Sequence, residues 1–395
     1  MLPAALLLAS AILADTLDVG PDRKYASPAD ALAAAKPGDT ILIHPRADGK
    51  PWEGVALRIT IPRLTITALP STHPVTLSGT GFDYSGEGSM PRAIIQFDPE
   101  ASGGVVENLE LKDARNQSHN AAGVRINQAS GVTVRACRIS GNDMGVMSGG
   151  SFKDKTGADQ LIEGCTILAN GCDKDPGFNH NLYLGGTSVT VRGCEISGST
   201  TGHNLKSRAH FNLIEYNHIH DAANYEIDLV DEKGNTDALS SDAIILGNFI
   251  DKARDCKGNR GVLHFGKDGQ ADHTGCAFIV MNTIRTTFVS PVVTLNAAGA
   301  SLVFDDNVVL DRGEKQHGVL VQLDGPTPES TTGRGNRWPE TFTGGQRIAA
   351  GDPVAWEDLH LRWPDGKRPG LKQYLGVGNI ADRKPAVNGA GDLLK

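Results

Sequence analysis

The sequence predicts an all-β protein wound as a right-handed parallel β-helix, a solenoid with an N-terminal cap helix. Three observations carry this. Segments of alternating apolar residues recur about every 23 to 34 residues, the length of one solenoid coil. Glycine is abundant, 47 of 395 residues, and aromatics are scarce at 5%, which suits tight turns between stacked aliphatic columns. A short helix signal, Ser27-Pro28-Ala29-Asp30, stands just before the first strand-like segment, where the open end of a stacked core needs a cover.

The repeat is visible when VTVRACRISGN, QLIEGCTILAN, VTVRGCEISGS, NLIEYNHIHDA, AIILGNFIDKA, FIVMNTIRTT and LVFDDNVVLD are aligned. Each places Cys or Asn two residues before an aliphatic anchor: Ile139, Ile167, Ile196, Ile219, Ile250, Ile284 and Val309. Alternation means a strand with one face inward. The column Cys137, Cys165, Cys194, Asn217, Asn248, Asn282 and Asn307 then marks a turn, where stacked Asn side chains hydrogen-bond from coil to coil. A repeated position favours a buried thiol stack over disulfides for the first three cysteines; Cys256 with Cys276 remains open as a bridge. His218 and His220 flank Ile219 and are expected on the surface of this strand.

The helix signal has Ser27 at the N-cap, Pro28 at the first helical position and Asp30 in the first turn; Pro37-Gly38 ends it. The expected organisation is a signal peptide over 1–14, the β-helix over 15–335, and a C-terminal cap or packed tail over 336–395, which contains Trp338, Trp356 and Trp363. Leu2 to Ala14 is apolar, too short to span a bilayer, and ends in small residues suited to cleavage. The expected location is therefore secreted or periplasmic. With a formal charge of −8 and no long basic run, nucleic acid is excluded as a partner, and no later segment suggests a membrane span. An acidic polysaccharide remains open, because a local basic groove can sit on an acidic protein.

A second strand follows each anchor: GVRIN, GVMSG, HNLYLG, HNLKSR, YEIDLV, GVLHFG, PVVTLN and GVLVQL. With the apolar residues inward, the outward column reads Arg125, Met147, Tyr183, Lys206, Asp228, His264, Thr294, Gln322. A neighbouring outward column would hold Asn181, Asn204 and Glu226, with Gly185 and Arg208 on the other side. Coils stack about 4.8 Å apart. Tyr183, Lys206, Asp228 and His264 should then fall within roughly 15 Å, the reach of two or three sugar rings. These residue types supply proton transfer, charge neutralisation and sugar contacts. His180 and His203 are expected at the turn or groove edge; no His/Cys spacing suggests zinc.

The segment SPADALAAAKPGDTILIHP resembles the cap helix and first coil of polysaccharide-active β-helix proteins of the pectate-lyase-like superfamily. HNLKSRAHFNLIEYNHI resembles the Lys-Ser coil of the chondroitinase B and alginate lyase family. The resemblance implies that Lys206 is the base removing the proton beside a uronate carboxylate. That family carries an arginine on the next coil, where this chain has Asp228; Arg208 is the nearby substitute.

Three activities follow as expectations. The first is a polysaccharide lyase acting by β-elimination: Lys206 as base, Arg208 with Arg125 on the carboxylate, and Tyr183 or His264 as proton donor, with Asn181, Asn204, Glu226, His180 and His203 on the sugar. Glu226 and Asp228 would orient Lys206, bind hydroxyls or take Ca²⁺. The second is a glycoside hydrolase with Glu226 and Asp228 about 6.6 Å apart on one strand, joined by Asp231 or Asp242. The third is a non-catalytic carbohydrate-binding solenoid, which calls for groove aromatics beyond Tyr183.

Overall fold

A computed structural model describes residues 14–348, except 73, 87–89, 287–290, 312–317, 339–341 and 345–347. The chain winds as a right-handed parallel β-helix whose long sheets have twelve, nine and ten parallel strands. The expected signal peptide lies almost wholly outside the described residues, as do most of the expected tail and its Trp356 and Trp363.

The anchors form one continuous inward column. Ile139 pairs with Ile167, then Ile196, Ile219, Ile250, Ile284 and Val309, and none is more than 1% exposed. Apolar burial of that column is the main force holding coil on coil. At the lower end, the helix Pro28–Ala34 covers the core; the Ser27 hydroxyl accepts from the Asp30 N–H at 3.2 Å and Ala31 is fully buried.

The Cys/Asn column sits at a sharp corner, and the reason is local. The residue before each member is in the left-handed region: Ala136, Gly164, Gly193, Tyr216, Gly247, Met281 and Asp306 have φ between 49° and 62°. The corner leaves backbone groups without strand partners, and Asn side chains take them. Asn217 Nδ2 donates to Asn248 Oδ1 at 3.0 Å, Asn248 to Asn282 at 3.0 Å, Asn282 to Asn307 at 3.0 Å and Asn307 to Asn336 at 3.1 Å. Each also accepts the preceding coil's N–H. The ladder thus reaches Asn336, the first residue of the expected tail. All six cysteines are free thiols, so Cys256 and Cys276 do not pair; Cys137, Cys165 and Cys194 stack in the corner. His218 and His220 are half-buried on their strand.

Candidate active site

The ten-stranded sheet presents the expected column in the expected register. Arg125 pairs with Met147, Met147 with Tyr183, Tyr183 with Lys206, Lys206 with Asp228, Asp228 with His264, His264 with Thr294 and Thr294 with Gln322. Loops before these strands, carrying Phe178, Tyr225 and Asn259, and the loop after the His264 strand, carrying Lys267 and Asp268, wall the column into a groove of about 500 Å³ that is also lined by Tyr183, His203, Lys206, Arg208, Asp228 and His264. Arg125 does not line it; its guanidinium lies 3.6 Å from Met147 Sδ.

Asp228 is the hub. It is 3% exposed, and its Oδ1 faces His264 Nδ1 at 2.7 Å while Oδ2 faces His203 Nε2 and Lys206 Nζ, both at 3.2 Å. Burial works to raise its carboxyl, but His203, His264 and Lys206 outweigh that and hold it well below the usual carboxylate range.

The two imidazoles differ because their second nitrogens have different partners. His203 Nδ1 accepts the Tyr225 N–H at 3.1 Å, so the proton of the neutral ring sits on Nε2, which faces Asp228 Oδ2 at 3.2 Å. Burial pushes its pKa down to about 4, keeping the ring neutral. His264 faces acceptors on both sides, Asp228 Oδ1 and, at 2.9 Å, Asn296 Oδ1. Asn296 is oriented by donating its own amide to the Lys267 carbonyl at 2.9 Å. Both His264 nitrogens therefore donate, which is the imidazolium. Burial opposes that charge, yet the bonds and charge of Asp228 raise the pKa above its ordinary value.

His180 lines the groove but is fixed by backbone: its Nδ1 accepts the His203 N–H at 3.0 Å and its ring stacks on His203 with centroids 5.0 Å apart. Burial holds it well below its ordinary pKa. Gly202 makes this stacking possible, since a Cβ there would lie 1.7 Å from the Asn179 carbonyl oxygen. Tyr225 stacks between His203 and His264, extending the aromatic wall.

Asp268, unremarked in the sequence, closes the groove. Its Oδ2 takes both Lys206 Nζ and, at 3.0 Å, Arg208 Nη2. Arg208 Nε also donates to the Tyr183 hydroxyl at 3.0 Å, and Nη1 donates to the Asp231 carbonyl. The Asp268 loop hangs from one carboxylate: Asp231 Oδ1 accepts the N–H groups of Asp268 and Gly269 at 2.6 and 2.7 Å, and Oδ2 that of Ala271 at 2.8 Å. The sequence signal was the turn-like Gly266-Lys267-Asp268-Gly269 directly after the His264 strand, in a fold whose loops build sites.

Asn181, Asn204 and Glu226 were expected to face outward; all three are 0% exposed and point into the corner. The alternation count was carried through a corner, where inward and outward do not alternate. Asn181 Nδ2 donates to Asn204 Oδ1 at 2.8 Å, and Asn204 Nδ2 to Glu226 Oε2 at 2.6 Å. Glu226 also accepts the Ala222 N–H at 3.0 Å and pairs with the fully buried Lys252 at 3.6 Å. Burial pushes the Glu226 carboxyl up to about 7, against the opposing charge of Lys252. Glu226 therefore reaches no groove ligand and cannot share a calcium ion or an acid–base pair with Asp228. Asp228 itself is ringed by nitrogen donors, which does not fit a calcium site. Asp242, the other candidate carboxylate, is buried and accepts the Cys276 N–H at 2.8 Å.

No family model matches the sequence, and no curated protein does. Among solved structures the chain is similar to a pectate lyase, with 14% identity, 91% of this chain and 88% of that one covered, and a TM-score of 0.45. It is similar to the pectin methylesterase of Erwinia chrysanthemi, with 10% identity, 85% and 98% covered, and a TM-score of 0.37. A mannuronan C-5 epimerase module from Azotobacter vinelandii follows with 14% identity, 78% and 92% covered, and a TM-score of 0.35. These likenesses concern the path of the chain and leave its chemistry to the groove.

Proposed function

We propose that this chain is an exported polysaccharide lyase that cleaves a uronate-containing polymer by β-elimination in the Tyr183–His264 groove. One observation carries the reading: Lys206 and Arg208 converge on a single carboxylate oxygen, Asp268 Oδ2, beside the Tyr183 hydroxyl. A uronate carboxylate entering the groove would take the place of Asp268 on Arg208. Neutralising it makes the adjacent C5 proton removable. Lys206, as the free amine, takes that proton; electrons close a C4=C5 double bond; the C4–O bond breaks. Tyr183 accepts a hydrogen bond from Arg208, so its own hydroxyl proton is free to pass to the departing oxygen. The Asp228 hub, held by His203 and His264, positions Lys206.

A hydrolase remains a second reading on one specific ground: Asp228 and Asp268 flank Lys206 as two groove carboxylates, replacing the pair lost with Glu226. The test is incubation with a panel of uronate polymers. A lyase produces ultraviolet absorbance from the new double bond together with chain shortening. New reducing ends without that absorbance would establish hydrolysis instead, and neither signal on any polymer would leave only a binding solenoid.

A further inference from the structure

Three segments of the chain bring His119, Asp143 and Cys172 together, none of them among the residues that line the groove. One ligand atom from each lies within 4.8 Å of the others. Cys172 Sγ and His119 Nδ1 are 3.3 Å apart. Two ligands bound to one zinc at ordinary Zn–S and Zn–N lengths and a tetrahedral angle would lie about 3.6 Å apart. Thiolate, imidazole and carboxylate form a borderline-soft donor set that suits zinc and disfavours calcium or magnesium.

The cluster is preorganised. Asp143 is 1% exposed; its Oδ2 accepts the Asn116 N–H at 2.9 Å and its Oδ1 accepts Arg115 Nη1 at 3.0 Å. Metal-binding carboxylates are usually held by such outer hydrogen bonds. The same Arg115 nitrogen donates to the Gly171 carbonyl at 2.6 Å, fixing the residue before Cys172. His119 stands in the left-handed region with φ 51°, a conformation costly for a side-chain-bearing residue, and its carbonyl is held by Asn179 Nδ2. The Asn179 side chain is fully buried, and its Oδ1 has no hydrogen-bond partner. Cys172 also differs from the other five cysteines: they are buried, and it alone is half-exposed.

We infer that His119, Asp143 and Cys172 form a zinc site that ties the 114–121 loop to the 171–181 loop, whose far end supplies Phe178 and His180 to the groove rim. Three protein ligands leave one position for water or a further donor. The site stands on its own residues and does not depend on the groove's activity.

The test uses the full chain, dialysed against zinc chloride and then against metal-free buffer, with metal content read by mass spectrometry. About one zinc per chain is expected. In the cobalt(II)-loaded protein a sulfur-to-cobalt charge-transfer band should appear and vanish in Cys172→Ser. His119→Asn preserves the left-handed backbone, because Asn tolerates that conformation. Both variants should keep the far-ultraviolet circular dichroism of the parent and lose affinity by more than about 100-fold. Absence of zinc from the folded parent protein would overturn the assignment. So would zinc that stays equally tight in both variants.

Discussion

On three successive coils Asn181, Asn204 and Glu226 precede Tyr183, Lys206 and Asp228 by two residues. Both columns are polar, and both climb the same edge of the same sheet. The inner one is fully buried, and each side chain has fixed partners on the next coil: Asn181 to Asn204, Asn204 to Glu226, Glu226 to Lys252. The outer one shares its partners. Asp228 serves two histidine rings and the Lys206 amino group, and Lys206 and Arg208 share Asp268. A column with one partner per valence holds coils together. A column with contested partners can hand one over to an incoming ligand, and that separates scaffold from site.

The sharpest way to break this comparison is to truncate one member of each column. Under the proposed elimination, Lys206→Ala should lower turnover by at least about 10³-fold, the scale of losing a proton-transfer group, while thermal stability stays close to that of the parent. Turnover that survives would remove Lys206 from the mechanism. Glu226→Ala should do the reverse. It strips the acceptor from Asn204 and Ala222 and leaves Lys252 buried without its counter-charge, a loss of about 3–5 kcal/mol in denaturant unfolding. Asn204→Ala, which opens the ladder at its middle without stranding a charge, should cost about 1–3 kcal/mol. A stable Glu226→Ala protein with altered substrate preference would place the inner column in the groove after all.

The columns should also separate by pH. Glu226 has its folded pKa raised to about 7, so the native state keeps a proton that the unfolded chain releases near its ordinary 4.5. Stability from this group falls as pH rises from about 4.5 to about 7 and is flat above. His203 has its folded pKa depressed to about 4, so the unfolded chain gains a proton first as pH drops below 6.5. Stability from His203 is present above 6.5 and is lost progressively as pH falls towards 4. His180 and His273, also held low by burial, act in the same direction. In unfolding curves measured across this range, Glu226→Gln should remove the loss between about pH 4.5 and 7, leaving intact the acid-side loss and the further loss above 6.5 that comes from His264 with its raised pKa. If both slopes persist unchanged, the inner carboxyl is not the group that titrates.

These contrasts mark what the sequence could convey. Period and alternation placed the anchors Ile139 to Val309, the corner Asn column and the outward register from Arg125 to Gln322, because each is a strictly repeated position on a strand or at its turn. Asn181, Asn204 and Glu226 were misplaced because polarity resembles exposure, and a buried ladder satisfies the same residue types from within. Asp268 was missed for another reason. It belongs to no repeat, and its loop is positioned by Asp231 accepting three backbone N–H groups, a contact that leaves no periodic trace. The zinc candidate likewise joins residues 119, 143 and 172, whose spacing matches no ligand motif.

The smallest expected effect concerns the upstream end of the outer column. Arg125 sits two coils before Tyr183 in register, about 10 Å along the stack, and outside the groove walls. If the polymer lies along the column, Arg125 meets a sugar one or two residues from the cleaved bond. It then contributes binding shared by ground and transition states. Arg125→Ala should raise KM on long acidic chains by about 2- to 5-fold with kcat nearly unchanged, and leave the shortest cleavable oligomer unaffected. The KM difference should shrink as salt screens the contact. A fall in kcat would instead place Arg125 on the reacting uronate. Equal KM values on every chain length would show that substrate does not run along this face, and the column would be a site without a track.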